Sequence, residues 1–225
     1  MDETPMPRAS SLADYDWEAR RREAEALFPG ALYGRPFDAT EEALRDVDSA
    51  LKDGTEEAIQ KAFTKHPYAI QYAIKGSGHH GTWVFPKQMI KLPGADKSKG
   101  LIPDFLVATQ SSLGFFWHVV EIKRFDHQFA KKDGSGLSEV GARAIAQCNR
   151  YLAHFQDYIG AIREMIQVAQ LVQPSGAVLL IGDADQENDG QQQVRSDFVR
   201  TNDRIDVVSY RRILWGLASD KRSKL

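Results

Sequence analysis

The chain has one cysteine, Cys148, among its 225 residues. That excludes an intramolecular disulfide and a cysteine-based zinc knuckle, and it fits a reducing, cytoplasmic setting. Long apolar runs are also missing. None approaches the roughly 18 residues of a membrane span, and the opening MDETPMPRASSLADYD lacks the apolar core of a secretory signal. No membrane partner is expected. Charge of one sign is absent too: Lys+Arg number 29 against Asp+Glu 31, a net charge of −2. A polyanion would therefore have to meet a local basic face rather than a global field. What is present is ordinary globular material, 42% hydrophobic and 27% charged, which excludes a wholly disordered tail protein. A chain of this length reads as one domain with a small appendage, and it buries enough surface to fold without staples.

Along the chain, residues 1–11 read as a polar tail, and Asp14 to Leu27 as a charged helix with a narrow apolar face of Trp17, Ala24, Leu27 and Phe28. The loop YGRPFDAT leads to helices capped by Thr40 and Thr55, the latter stopped at Pro67. After residue 75 the texture changes. WVFPKQMIKL reads as a strand, edge or irregular because of Pro86. IPDFLVATQ and FFWHVVEIK are strands rich in β-branched and aromatic residues, joined by SSLG. Ser138 opens a long helix expected to reach about Val172. GAVLLIG is a strand buried on both faces. A polar loop DADQENDGQQQ, a short helix Val194–Thr201, a strand RIDVVSY and a closing helix complete the reading.

Chemistry concentrates in residues 101–124. A hairpin turn centred between Ser112 and Leu113 sets Asp104 opposite Glu121, with Cβ atoms roughly 4.5–5.5 Å apart. Strand periodicity then puts Glu121 and Lys123 on one face and Ile122 on the other. Two facing carboxylates repel unless a cation sits between them. Magnesium suits, because it takes oxygen ligands, commonly one or two carboxylates plus substrate phosphate. The backbone carbonyl of Ile122 offers a further oxygen. A neighbouring lysine can orient or deprotonate water and stabilise phosphate charge. The composite is metal-assisted phosphodiester hydrolysis.

Pro103-Asp104 followed by Glu121-Ile122-Lys123 resembles the PD-(D/E)xK signature of restriction-endonuclease-like nucleases. The ordered set EEAIQKAFTKHPYAI, IPDFLV, EIKR, AIAQCNRY and RTNDRIDVVSYRRIL is similar to the nuclease domain of the Shedu anti-phage defence family, over residues 55–217. The resemblance implies an α/β (strictly α+β) fold, a mixed sheet flanked by helices, for residues 40–225. Residues 1–39 would be an N-terminal tail and helix offering an oligomer contact. It implies a Mg²⁺-dependent DNA endonuclease, Mn²⁺ substituting, that leaves 5′-phosphate and 3′-hydroxyl ends, and a homo-oligomer, often a tetramer. Asp104 and Glu121 would be metal ligands and Lys123 the catalytic lysine. A glutamate of the preceding helix, Glu57 in preference to Glu56, would complete the metal shell. Phe125 departs from the family's pattern, where a proline is expected.

Arg143, Gln147 and Tyr151 share one helix face, a polar stripe that would hold a phosphate or orient Lys123, with Gln147 the catalytic candidate and Arg150 serving instead if the helix is rotated. Lys87, Lys91, Lys97 and Lys99 precede the first carboxylate strand, and Lys123, Arg124, Lys131 and Lys132 follow the second. Together they form a phosphate-binding rim if their loops flank one cleft. Other features carry less. KGSGHHG lacks the ending of a phosphate-binding loop, and His79-His80 are adjacent loop residues. The run from Asp183 to Gly190 has its glycine misplaced for a calcium loop. His118 points away from Glu121, and Cys148 reads as buried packing. Two rivals to the nuclease remain. One is a catalytically silent nuclease-fold module that binds DNA or a partner protein. The other is an assembly subunit that uses Trp17, Leu27 and Phe28.

Overall fold

A computed structural model describes residues 16–75, 81–90 and 101–222. The N-terminal tail, His79, His80, Lys91, Lys97, Lys99 and the Trp17 side chain lie outside the described residues. Helix α1 (Trp17–Leu27) is capped by the Asp16 side chain, which accepts from the Ala19 amide. A short strand β1 (Leu32–Gly34) follows. Helix α2 (Glu41–Asp53) begins at the Thr40 cap and ends where Gly54 takes a left-handed conformation. Helix α3 (Glu56–Lys65) begins at the Thr55 cap. The chain then winds through a 3-10 segment, Pro67–Ala73, into β2 (Thr82–Pro86), β3 (Phe105–Ser111) and β4 (Gly114–Ile122). Helix α4 (Glu139–Met165), β5 (Gly176–Leu180), α5 (Asp189–Thr201), β6 (Ile205–Val208) and α6 (Tyr210–Arg222) complete the chain.

The six strands lie in sequence order, β1 to β6. The first four run antiparallel, while β4, β5 and β6 are parallel. Parallel neighbours need crossovers, and α4 and α5 supply them. The sheet separates two apolar layers. Val120 and Ile122 of β4 join Val107, Val178 and Leu180 beneath α2, α3, α6 and the 3-10 segment. Trp117 and Val119 join Leu106, Leu179 and Phe85 beneath α4. The alternation along β4 thus assigns Glu121 to the α4 side. Burial on both faces of the central strands also explains why GAVLL is uniformly apolar. The architecture is the mixed, helix-flanked α/β sheet expected from the sequence.

Several elements differ from the sequence reading. β2 is interior, and Pro86 is tolerated because it is the last residue of the strand, beyond the stretch that β1 covers. Helix α4 stops at Met165 and is kinked at Tyr158, so the chain can return Val168 and Leu171 to the core. The side chain of Arg163 fixes that return by donating to the Leu171 carbonyl (2.9 Å). Helix α5 starts at Asp189 rather than Val194, because Asn188 and Gln191 form a reciprocal capping box. Phe28 is buried against Trp83, Phe115 and Trp117. It is not part of an exposed helix face, and Leu27 alone of that pair is exposed. Together with β1, it joins the segment before residue 40 to the sheet.

Candidate active site

The hairpin pairs Phe105 with Val120 and Ser111 with Gly114, the register derived from the turn. Asp104 is the residue just before β3 and lies across from Glu121. Its Oδ2 accepts the Ile122 amide (2.9 Å), and its Oδ1 accepts from Lys87 Nζ (3.0 Å). Glu121 is 2% exposed. Its Oε1 accepts from Lys123 Nζ (2.7 Å), and the Tyr151 hydroxyl also lies within reach of the carboxylate. Burial first, and the nearby Asp104 charge second, push the Glu121 carboxyl up to about 7. Lys123 is partly buried, which opposes its charge. The Glu121 carboxylate, with help from Glu56 and Asp104, offsets that and holds the ammonium above its ordinary range.

Lys123 has a fixed backbone. Its amide donates to the Leu180 carbonyl (2.8 Å), and its carbonyl accepts from the buried Tyr210 hydroxyl (2.6 Å). From α4, Gln147 brings Oε1 within 3.5 Å of Lys123 Nζ and donates through Nε2 to the Tyr151 hydroxyl (2.6 Å). Tyr151 in turn donates to the Ile102 carbonyl (3.1 Å), two residues before Asp104. Cys148 is buried beneath the site. Burial first, then the Glu121 charge, push its thiol up to about 12, so it packs rather than reacts.

The structure thus brings Asp104, Glu121, Lys123 and Gln147 together, with the Ile122 backbone between the two carboxylates. Glu57 stays apart. It is 76% exposed and paired with Lys61 (2.8 Å). The helix glutamate whose charge reaches Lys123, Arg124 and Tyr210 is Glu56. A signal for this was present in the sequence: Glu56 lies three and seven residues before the buried Ile59 and Phe63, on the inward stripe of α3. Arg143 is also outside the cleft, exposed and paired with Glu139. Arg124 is exposed and held by Asp126 through two hydrogen bonds (2.9 and 2.7 Å).

Two further groups resolve as ion pairs. Asp183 is gripped by Arg211 (3.0 and 2.5 Å), which holds its carboxyl low although burial opposes it. Nothing there forms a calcium loop. Glu42, Asp46 and His66 offer ligand atoms within 4.8 Å of one another. Lys65 already bonds both carboxylates (2.8 and 2.7 Å), and His66 bonds Asp46 (2.8 Å), so the cluster is neutralised from within.

The donor set around Asp104 and Glu121 suits a hard divalent cation, since every candidate ligand atom is oxygen. The burial of Glu121 next to the Asp104 charge supports the fit, because two facing carboxylates, one of them buried, are costly unless something positive lies between them. No helix among the described residues is long and apolar enough to cross a membrane.

No family model matches the chain, and no curated protein matches it. Among solved structures, the restriction endonuclease FokI bound to DNA is similar, with 12% sequence identity and a TM-score of 0.44. The likeness covers 97% of this chain and 32% of that one, so the chain spans about a third of that protein's length. At such a score the superposition is loose, and the fold rests on the strand order and register given above.

Proposed function

We propose that the chain is a Mg²⁺-dependent DNA endonuclease of the restriction-endonuclease-like type, with Mn²⁺ able to substitute, and that it serves in anti-phage defence as the Shedu resemblance implies. The observation that carries the reading is the pairing of two carboxylates, Asp104 and the buried Glu121, beside Lys123. Asp104, Glu121 and the Ile122 carbonyl would hold the cation, and Glu56 rather than Glu57 would complete the shell. The cation supplies positive charge against the scissile phosphate. Lys123, fixed by Tyr210 and Leu180 and kept charged by Glu121, would orient the attacking water and stabilise charge on the phosphate. Gln147 and Tyr151 keep the lysine aimed. The exposed Arg124, Lys131 and Lys132 offer sequence-independent phosphate contacts. A homo-oligomer in the cytoplasm, a tetramer by the same resemblance, completes the proposal.

The silent-module reading draws on a specific observation: each carboxylate already has a lysine partner, Lys87 on Asp104 and Lys123 on Glu121. The buried Glu121, pushed up by burial and by the facing Asp104 charge, weighs against it, since such a pair favours a shared cation. Supercoiled and linear plasmid incubated with Mg²⁺, Mn²⁺ or EDTA, wild type beside Glu121→Ala, decides the matter. Metal-dependent nicking that the variant loses is the expected result. No cleavage, with no metal binding by either protein, overturns the nuclease.

A further inference from the structure

Lys87 has a backbone conformation that lysine rarely adopts. Its φ is +49°, in the left-handed region, at the turn leaving β2. A non-glycine residue there is strained, and such strain persists only where the surroundings over-determine it. Two contacts do so, both to one residue. The Lys87 amide donates to the Asp104 carbonyl (2.9 Å), and the Lys87 ammonium donates to Asp104 Oδ1 (3.0 Å). Glycine or asparagine would satisfy the turn at lower cost, so the ammonium itself is what the position retains. The pair is uneven: the Asp104 side chain is 12% exposed and that of Lys87 is 55% exposed. The carboxylate is fixed by the Ile122 amide, while the lysine is anchored at one end and open to solvent at the other.

Building on the metal-site reading above, we propose that Lys87 is the resting counter-ion of Asp104, which gives the carboxylate up to the divalent cation and then binds a phosphate of the DNA. Each carboxylate of the site carries its own lysine, and the two lysines differ in freedom. Lys123 is clamped through its backbone and partly buried. Lys87 can swing. A doubly charged ion sharing Asp104 would repel the ammonium at short range. It is then free at the mouth of the site, where a substrate phosphate attracts it. The exchange keeps the buried aspartate neutralised before the metal arrives, and afterwards adds one cation to the substrate side.

The test uses the full chain and two readouts. Free Mn²⁺ is followed by electron paramagnetic resonance in titrations of wild type, Lys87→Met, Lys87→Gly, Lys87→Arg and Asp104→Ala. Lys87→Gly keeps the turn and relieves its strain, which guards against a fold defect in Lys87→Met. Both uncharged variants should bind Mn²⁺ about 3- to 10-fold tighter, as expected for removing one like charge near the ion. Lys87→Arg should stay within about twofold of wild type. Duplex DNA binding is then read by fluorescence anisotropy. In EDTA Lys87→Met and Lys87→Gly should match wild type, because Lys87 is engaged with Asp104. With Ca²⁺ they should bind roughly 3- to 10-fold more weakly, with a salt slope lower by about one. Mn²⁺ affinity unchanged or weakened in both folded, uncharged variants overturns the counter-ion role. DNA affinity unchanged with Ca²⁺ overturns the phosphate contact. If wild type shows no Mn²⁺ binding that Asp104→Ala removes, the metal site itself falls and this proposal falls with it.

Discussion

Glu56 and Glu57 are neighbours in sequence, yet they face different worlds. Glu57 sits in water beside Lys61, where an exposed i, i+4 pair contributes little. Glu56 lies on the inward stripe of α3 and acts on Lys123. Glu56→Ala is therefore expected to reduce metal-dependent cleavage at least about tenfold, and Glu57→Ala to leave it within about twofold, in plasmid assays at limiting Mg²⁺. The reverse order would place Glu57 at the metal. At this scale the sequence was informative where strand geometry alone decides. Asp104, Glu121 and Lys123 gather because a two-residue turn and period-two alternation leave no other arrangement. Where helix rotation decides, the signal is the apolar stripe of α3, and where backbone conformation decides, the sequence was mute. The choice between Glu56 and Glu57 depends on which face of α3 packs down. The contact of Lys87 with Asp104 depends on a positive φ that no lysine advertises.

Among the elements, α4 does most to complete the site, since it delivers Gln147 to Lys123 and packs its own Cys148 and Tyr151 into the core layer beneath. Its start is set by Ser138, whose Oγ accepts the Gly141 amide (3.0 Å) and donates to the Gln128 carbonyl (2.6 Å). Gly141 has no room for a side chain, because a Cβ there would lie 2.4 Å from the Phe129 carbonyl. Ser138→Ala should lower stability by about 1 kcal/mol, read as a reduced urea midpoint with unchanged slope. An unchanged midpoint would mean that the cap is idle. Helices with a clean cap and stripe, α2 and α3, were legible from sequence. The start of α5 was not, because Asn188 and Gln191 look like loop residues until their side chains cap one another. β1 was missed because three residues carry no periodicity, and they become a strand only by pairing with β2.

For the molecule as a whole, the sheet divides its ionisable cargo as well as its apolar layers. His118 faces the layer opposite Glu121, where burial, opposed by the Asp206 charge, holds it down at about 4 from an ordinary 6.5. Between those values the unfolded chain binds more protons than the folded one. The contribution of His118 to stability is therefore complete above about pH 6.5 and is lost as pH falls toward 4. His118→Gln should flatten that part of the stability profile, so the difference in urea midpoint between pH 7 and pH 5 shrinks relative to wild type. An undiminished difference would show that other groups set it. On the other face, the proposed metal-dependent phosphodiesterase site pairs Asp104 and Glu121 beside Lys123. Its most direct test is single-turnover cleavage of duplex DNA at saturating Mg²⁺ by wild type and Lys123→Ala, with Mn²⁺ binding measured on both. The account predicts a loss of ~10²–10⁴ in rate with metal binding retained. Cleavage at the wild-type rate by Lys123→Ala would contradict it.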